Sequence, residues 1–132
     1  MTGIKKPLVL PDYNPLEWPK IRSHSCGHSG DIRSASLQLY ISDDLVWLKG
    51  HFPGQPVLPG VVQIHWAAEL AGALFEIPAA FQAIENLKFQ SVVLPNTHIT
   101  LDMTYETKRS RISFQYRDTE TLFSEGKIKY VE

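Results

Sequence analysis

Three residues in the middle of this chain could carry out proton-transfer chemistry: His51, His65 and Glu69. The first lies in Gly50-His51-Phe52-Pro53-Gly54-Gln55-Pro56-Val57-Leu58-Pro59-Gly60, which holds three Pro and three Gly in eleven residues. Such a segment is neither helix nor central strand; it is a loop with few accessible conformations. It suits holding one side chain in place, and a histidine titrates near neutrality, so it can serve as base or acid without a large shift. His65 and Glu69 are four residues apart. On a helix that spacing puts them about 40° apart round the axis, on one stripe with Val61 and Gly72 and nearly opposite Gln63.

The elements that must hold these residues can be read from the pattern around them. Residues 60–76 are expected to form one long central helix, with Pro59 and Gly60 at its start and Ile77-Pro78 ending it. Its apolar residues, from Val61 to Phe75, spread round the whole circumference, which predicts burial on all sides. The small residues, Gly72 among them, predict close approach of other backbone. Before the helix, Arg22–Ser29 is a weak strand candidate. Residues 34–41 alternate as a strand should, and Leu45–Leu48 is a short apolar strand. After it come alternating segments at 82–89, 98–105, 111–117 and 121–131, with Gly126 a bulge candidate. The expected class is α+β: an antiparallel meander wrapped round one helix, in one domain spanning residues 1–132. Residues 1–19 form a Pro-rich lead-in, with Leu16 and Trp18 as its packing candidates.

Composition narrows the function classes. With 132 residues, 20% charged and a net charge of −1, nothing suggests a nucleic-acid or anionic-membrane surface. No run of apolar residues is long enough to span a membrane, and the N-terminus does not read as a signal peptide, so a cytoplasmic location is the expectation. The single Cys26 excludes an intrachain disulfide. His24 and His28 flank it, but no helical signal puts them on one face, so no metal site is expected. His24, His28 and His98 read as surface or edge residues, and Trp47 and Trp66 as core.

The run His51-Phe52-Pro53-Gly54-x-Pro56-Val57-x-Pro59-Gly60-Val61 resembles the hot-dog fold 3-hydroxyacyl-acyl carrier protein dehydratases, the FabZ and FabA families. The likeness continues through residues 84–89 and 92–97 but does not cover the first 20 residues. Gln63-Ile64-His65-Trp66-Ala67 and Phe123-Ser124-Glu125-Gly126-Lys127-Ile128 are more similar still to the ApeI-like thioester dehydratases of aryl-polyene clusters. The resemblance implies a cofactor-free lyase that turns (3R)-3-hydroxyacyl thioesters on an acyl carrier protein into trans-2-enoyl thioesters. It implies that His51 removes the proton at carbon 2. Gly60 offers its N–H to the thioester oxygen, and the Val57 carbonyl orients the histidine. A helix carboxylate from the partner subunit of a dimer protonates the leaving hydroxyl. Substrate would contact Val57, Pro59, Gly60, Val61 and Gly72.

One position departs from that pattern. Where the family carries its helix carboxylate this chain has His65, and Glu69 stands one turn on. Either Glu69 replaces the carboxylate with His65 holding it, or His65 is the acid with Glu69 beside it; the matching position favours the second. A self-satisfying polar pair within the helix is the bland alternative. Two other functions compete: a hot-dog thioesterase using Glu69, and an acyl-binding subunit without catalysis. Lys49, Lys88 and Arg109 could meet an acidic carrier, or simply form a solvated face.

Overall fold

A computed structural model describes residues 14–49, 54–78 and 80–131. Six strands and one long helix follow one another as β1 (Lys20–Ser29), β2 (Ile32–Ile41), α1 (Gly60–Phe75), β3 (Phe81–Phe89), β4 (Thr97–Glu106), β5 (Arg111–Arg117) and β6 (Leu122–Tyr130). All strands join one antiparallel sheet in the order β1-β2-β4-β5-β6-β3. Alternation decides which face is buried. In β5, Ile112, Phe114 and Tyr116 turn inward while Ser113 and Gln115 turn out. Leu37, Leu39, Leu101 and Ile128 share that inner face and meet Trp66, Ala67, Leu70 and Ala71 of α1 in a single core. This is the hot-dog arrangement, a sheet curled round one helix.

The outer face of the sheet is held by polar pairs. Asp102 accepts from Ser36 Oγ at 2.8 Å and from Arg117 Nε at 2.6 Å, and Thr100 Oγ1 donates to Gln38 Oε1 at 2.8 Å. Cross-strand pairs of this kind contribute to sheet stability in the way buried apolar pairs do on the other side.

Several sequence expectations are corrected. The strands after the helix are not one meander: β3 pairs with β6 at the far edge, and only β4, β5 and β6 follow as neighbours. Local alternation reports which residues face inward, not which strand lies alongside. Leu45–Leu48 is no strand; Val46–Leu48 forms a 3₁₀ turn. Its partner is the lead-in, because Val46 N–H donates to Leu16 O at 2.8 Å. Trp18 packs against the core as expected, whereas Leu16 is exposed. Gly126 pairs regularly with Phe114 of β5, but on its other side it faces the irregularity in β3 between Glu85 and Lys88, so the expected bulge lies in the partner strand opposite it. A Cβ there would come within 3.0–3.1 Å of Phe114 and Leu87, so tight packing is what asks for glycine.

The helix is not buried on all sides either. Val62, Gln63, Trp66, Ala67, Leu70, Ala71 and Phe75 are buried, but Val61, His65, Glu69 and Ala73 form an exposed stripe. Within the single chain the sheet curls round only part of the circumference. Gly72 has nothing within 4 Å of a Cβ position, so among the described residues no other element presses on it. The helix ends at Glu76, which adopts a left-handed conformation at φ 51°. Arg33 of β2 closes that end: its Nη1 donates to Phe75 O at 2.6 Å and its Nη2 to Leu74 O at 3.5 Å. A cation on the last carbonyls is favourable, since they lack intrahelical donors and carry the negative end of the dipole.

Candidate functional site

The loop ahead of α1 is described from Gly54 onward; His51 lies outside the described residues, with Gly50, Phe52 and Pro53. Gly54 has φ 93°, a region that costs a side-chain-bearing residue strain. Val57 and Leu58 then plug into the protein body, and Leu58 N–H donates to Val93 O at 2.8 Å. Pro59 is extended and caps the helix start through its carbonyl, which accepts from Val62 N at 3.1 Å and Gln63 N at 3.3 Å. The N–H groups of Gly60 and Val61 have no acceptor among the described residues. Two aligned donors at the positive end of a helix suit an oxygen that gains negative charge in a transition state.

Gly60 has a second reason to lack a side chain. A Cβ at that position would lie 2.5 Å from Cζ of Phe89, whose half-exposed ring rests against the helix start. Phe89 closes one side of the donor pair, and Val61, 72% exposed, borders it.

From this end the exposed stripe runs along α1 through His65 to Glu69. The two share a face, as their spacing requires, but no hydrogen bond or ion pair joins them. Each faces a different neighbour. The His65 imidazole lies 5.5 Å, centroid to centroid, from the Trp18 indole at an interplanar angle of 41°. Glu69 acts on Tyr130: burial first, then the Glu69 carboxylate and then Tyr105 push the Tyr130 phenol up to about 12. Tyr130 Oη donates to Ala68 O at 3.4 Å. Gly72 completes the stripe as a bare, half-buried step.

The sequence placed His65 and Glu69 on one helix face, as the structure does, but it did not foresee that this face is exposed. It missed what surrounds them. Trp18 belongs to a lead-in segment clamped by two indoles, since Trp47 Nε1 and Trp66 Nε1 both donate to Glu17 O, at 2.7 and 3.0 Å. No periodic signal marks that contact, although three tryptophans in so short a chain point to a shared cluster. A metal centre does not arise among the described residues. β1 does put His24, Cys26 and His28 on one face, by strand alternation rather than a helix, yet Cys26 packs on the core and no set of three donors converges. Of the basic residues, Arg109 is taken up by Glu106 at 3.5 Å.

Comparison with known proteins bears on this arrangement. Residues 27–127 match the family model described as ApeI-like, ApeI dehydratase. A 3-hydroxyacyl-[acyl-carrier-protein] dehydratase FabZ from Novosphingobium aromaticivorans is 37% identical over 75 residues, covering 50% of this chain and 48% of the relative. The chain spans about half the length of such curated relatives. Among solved structures, the dehydratase heterocomplex ApeI:P from Xenorhabdus doucetiae superposes with a TM-score of 0.77 at 34% identity, covering 87% of this chain and 99% of that one. An uncharacterized protein from Erwinia carotovora subsp. atroseptica reaches 0.79 at 31% identity, with 86% and 96% covered. With the family model matched over most of its length, and the fold shared with both solved structures, the chain belongs to the ApeI-like dehydratase family.

Proposed function

We propose that this protein dehydrates (3R)-3-hydroxyacyl thioesters carried on an acyl carrier protein, giving trans-2-enoyl thioesters for fatty-acid or aryl-polyene type synthesis. The observation that carries the reading is the exposed stripe of α1. It starts at two donors, Gly60 and Val61 N–H, that have no acceptor among the described residues, and continues into His65 and Glu69. A thioester carbonyl at the helix start would be polarised by those donors. The acidity of carbon 2 would rise as enolate charge is stabilised there. His51 takes the proton from carbon 2. The hydroxyl leaves from carbon 3 as water, with its proton delivered by His65, and Glu69 stands one turn along the same face. The His51 and the stripe that serve one substrate belong to different protomers of a dimer, the stripe being uncovered in the single chain. Val57, Pro59, Gly60, Val61 and Gly72 line the path of the thioester.

The reverse reaction offers a direct test. The purified protein should hydrate a trans-2-enoyl thioester, followed by loss of the conjugated absorbance. His51→Ala should lower turnover by about 10²-fold or more, the usual cost of removing a general base. Absence of hydration in the wild type, or undiminished turnover in His51→Ala, would refute the reading.

A further inference from the structure

An amide lies buried in the first turn of α1, on the side opposite the stripe. Gln63 is 2% exposed, in a helix whose other inward positions are apolar. Burying an amide is costly unless its hydrogen bonds are made. Here the side chain makes two, and the main-chain carbonyl of the same residue receives a third, each with a different part of the fold. Ser124 Oγ of β6 donates to Gln63 Oε1 at 2.6 Å. Gln63 Nε2 donates to Leu58 O, in the loop ahead of the helix, at 3.3 Å. Tyr116 Oη of β5 donates to the Gln63 main-chain carbonyl at 2.6 Å. Ser124 and Tyr116 are themselves wholly buried, and burial holds the Tyr116 phenol well above its ordinary value. The phenol therefore remains a donor throughout the working range.

The loop explains why such a tie is needed. Pro56 and Pro59 have no N–H, so this segment cannot bind itself to the body through a regular ladder. Leu58 is its anchor: its N–H goes to Val93 O and its carbonyl receives Gln63. One side of that anchor is supplied by the main chain of the segment after β3. The other is supplied by a side chain from the helix that carries the donor pair.

We propose that Gln63 is a positioning residue for the dehydration: its amide locks the loop end at Leu58, the first turn of α1 and the sheet into one unit. The loop end at Leu58 and the helix start that carries the Gly60 and Val61 donors are then held in a set relation from inside the core. Gln63 touches no substrate. Its effect passes through Leu58 and the helix start, and misplacement of reacting groups by about 1 Å can cost ~10²-fold in rate. This inference rests on the dehydratase reading.

The test is steady-state kinetics of enoyl thioester hydration, expressed per folded molecule, alongside thermal unfolding. Gln63→Met keeps the volume and removes both side-chain hydrogen bonds. It should lower kcat about 10-fold with KM changed less than about 2-fold, the split expected when alignment rather than binding is lost. Ser124→Ala should lower kcat less, and the double variant should be no slower than Gln63→Met alone, because both changes break one network. Wild-type kcat per folded molecule in Gln63→Met, or losses that multiply in the double variant, would overturn the inference. Should Gln63→Met not fold, Tyr116→Phe and Ser124→Ala each remove one bond at little change in volume; a several-fold fall in kcat supports the inference and unchanged kcat in both overturns it. A wild type without turnover sinks the dehydratase reading and this inference together, whereas an active wild type with indifferent variants sinks the inference alone.

Discussion

At the scale of single residues, the open question is division of labour between His65 and Glu69. The helix puts them on one exposed face, yet no hydrogen bond or ion pair joins them. His65 has an aromatic neighbour in Trp18, and Glu69 has Tyr130. An acid that works alone at position 65 should tolerate loss of the carboxylate better than loss of the imidazole. Hydration turnover is therefore expected to fall by about 10²-fold or more in His65→Ala and by less than about 10-fold in Glu69→Gln. The reverse order would assign the acid to Glu69. Release of free thiol from a saturated acyl thioester, abolished in Glu69→Gln but kept in His51→Ala, would turn the assignment to hydrolysis. The spacing of 65 and 69 was legible because helix geometry alone sets it. Their separate neighbours were not, because Trp18 and Tyr130 reach them from remote parts of the chain.

At the scale of elements, what the sequence conveyed is what local rules control. Residues 111–117 alternate and form β5 over the same span, and the Pro-Gly loop ends at a helix beginning at Gly60. What it did not convey is pairing at a distance. Nothing in residues 81–89 says that β3 lies against β6, and Val46–Leu48 looks like a strand until the lead-in supplies its hydrogen bonds. Arg33 is the same kind of case, reading as one exposed strand residue among others. In the fold its guanidinium spans from β2 to the Phe75 and Leu74 carbonyls and lies 5.5 Å from the Phe75 ring. Hydrogen bonds from a charged group are each worth about 1.5–3 kcal/mol when partly buried. Arg33→Leu should accordingly lower stability by about 1–3 kcal/mol, read from the urea midpoint. The kinetic constants per folded molecule should stay unchanged, since the capped end lies away from Gly60. A wild-type midpoint would show that the last turn is held by other means.

At the scale of the whole molecule, the two edges of the sheet differ. The β1 edge exposes Lys20, Arg22, Ser23, Ser25 and His28, residues that discourage strand addition. The β3 edge exposes Phe81, Ile84, Leu87 and Phe89, with Val92 and Leu94 just beyond. An apolar edge of this length is a surface to be covered, and a two-fold pairing of β3 with its own copy would cover it. It would also put a partner against the chain near the helix start, because Phe89 rests on Gly60. If each site combines His51 of one protomer with His65 of the other, two inactive variants should rescue each other. Mixed dimers of His51→Ala with His65→Ala contain one site with both changes and one with neither. Co-expressed and co-purified, they should recover activity approaching half that of the wild type per mixed dimer, while each variant alone stays inactive. Ile84→Lys, which puts a charge on the β3 edge, should both shift the sedimenting species towards monomer and remove that recovery. Rescue that never appears, in a protein that sediments as a dimer, would mean that each protomer holds its own complete site and that the exposed stripe serves another purpose.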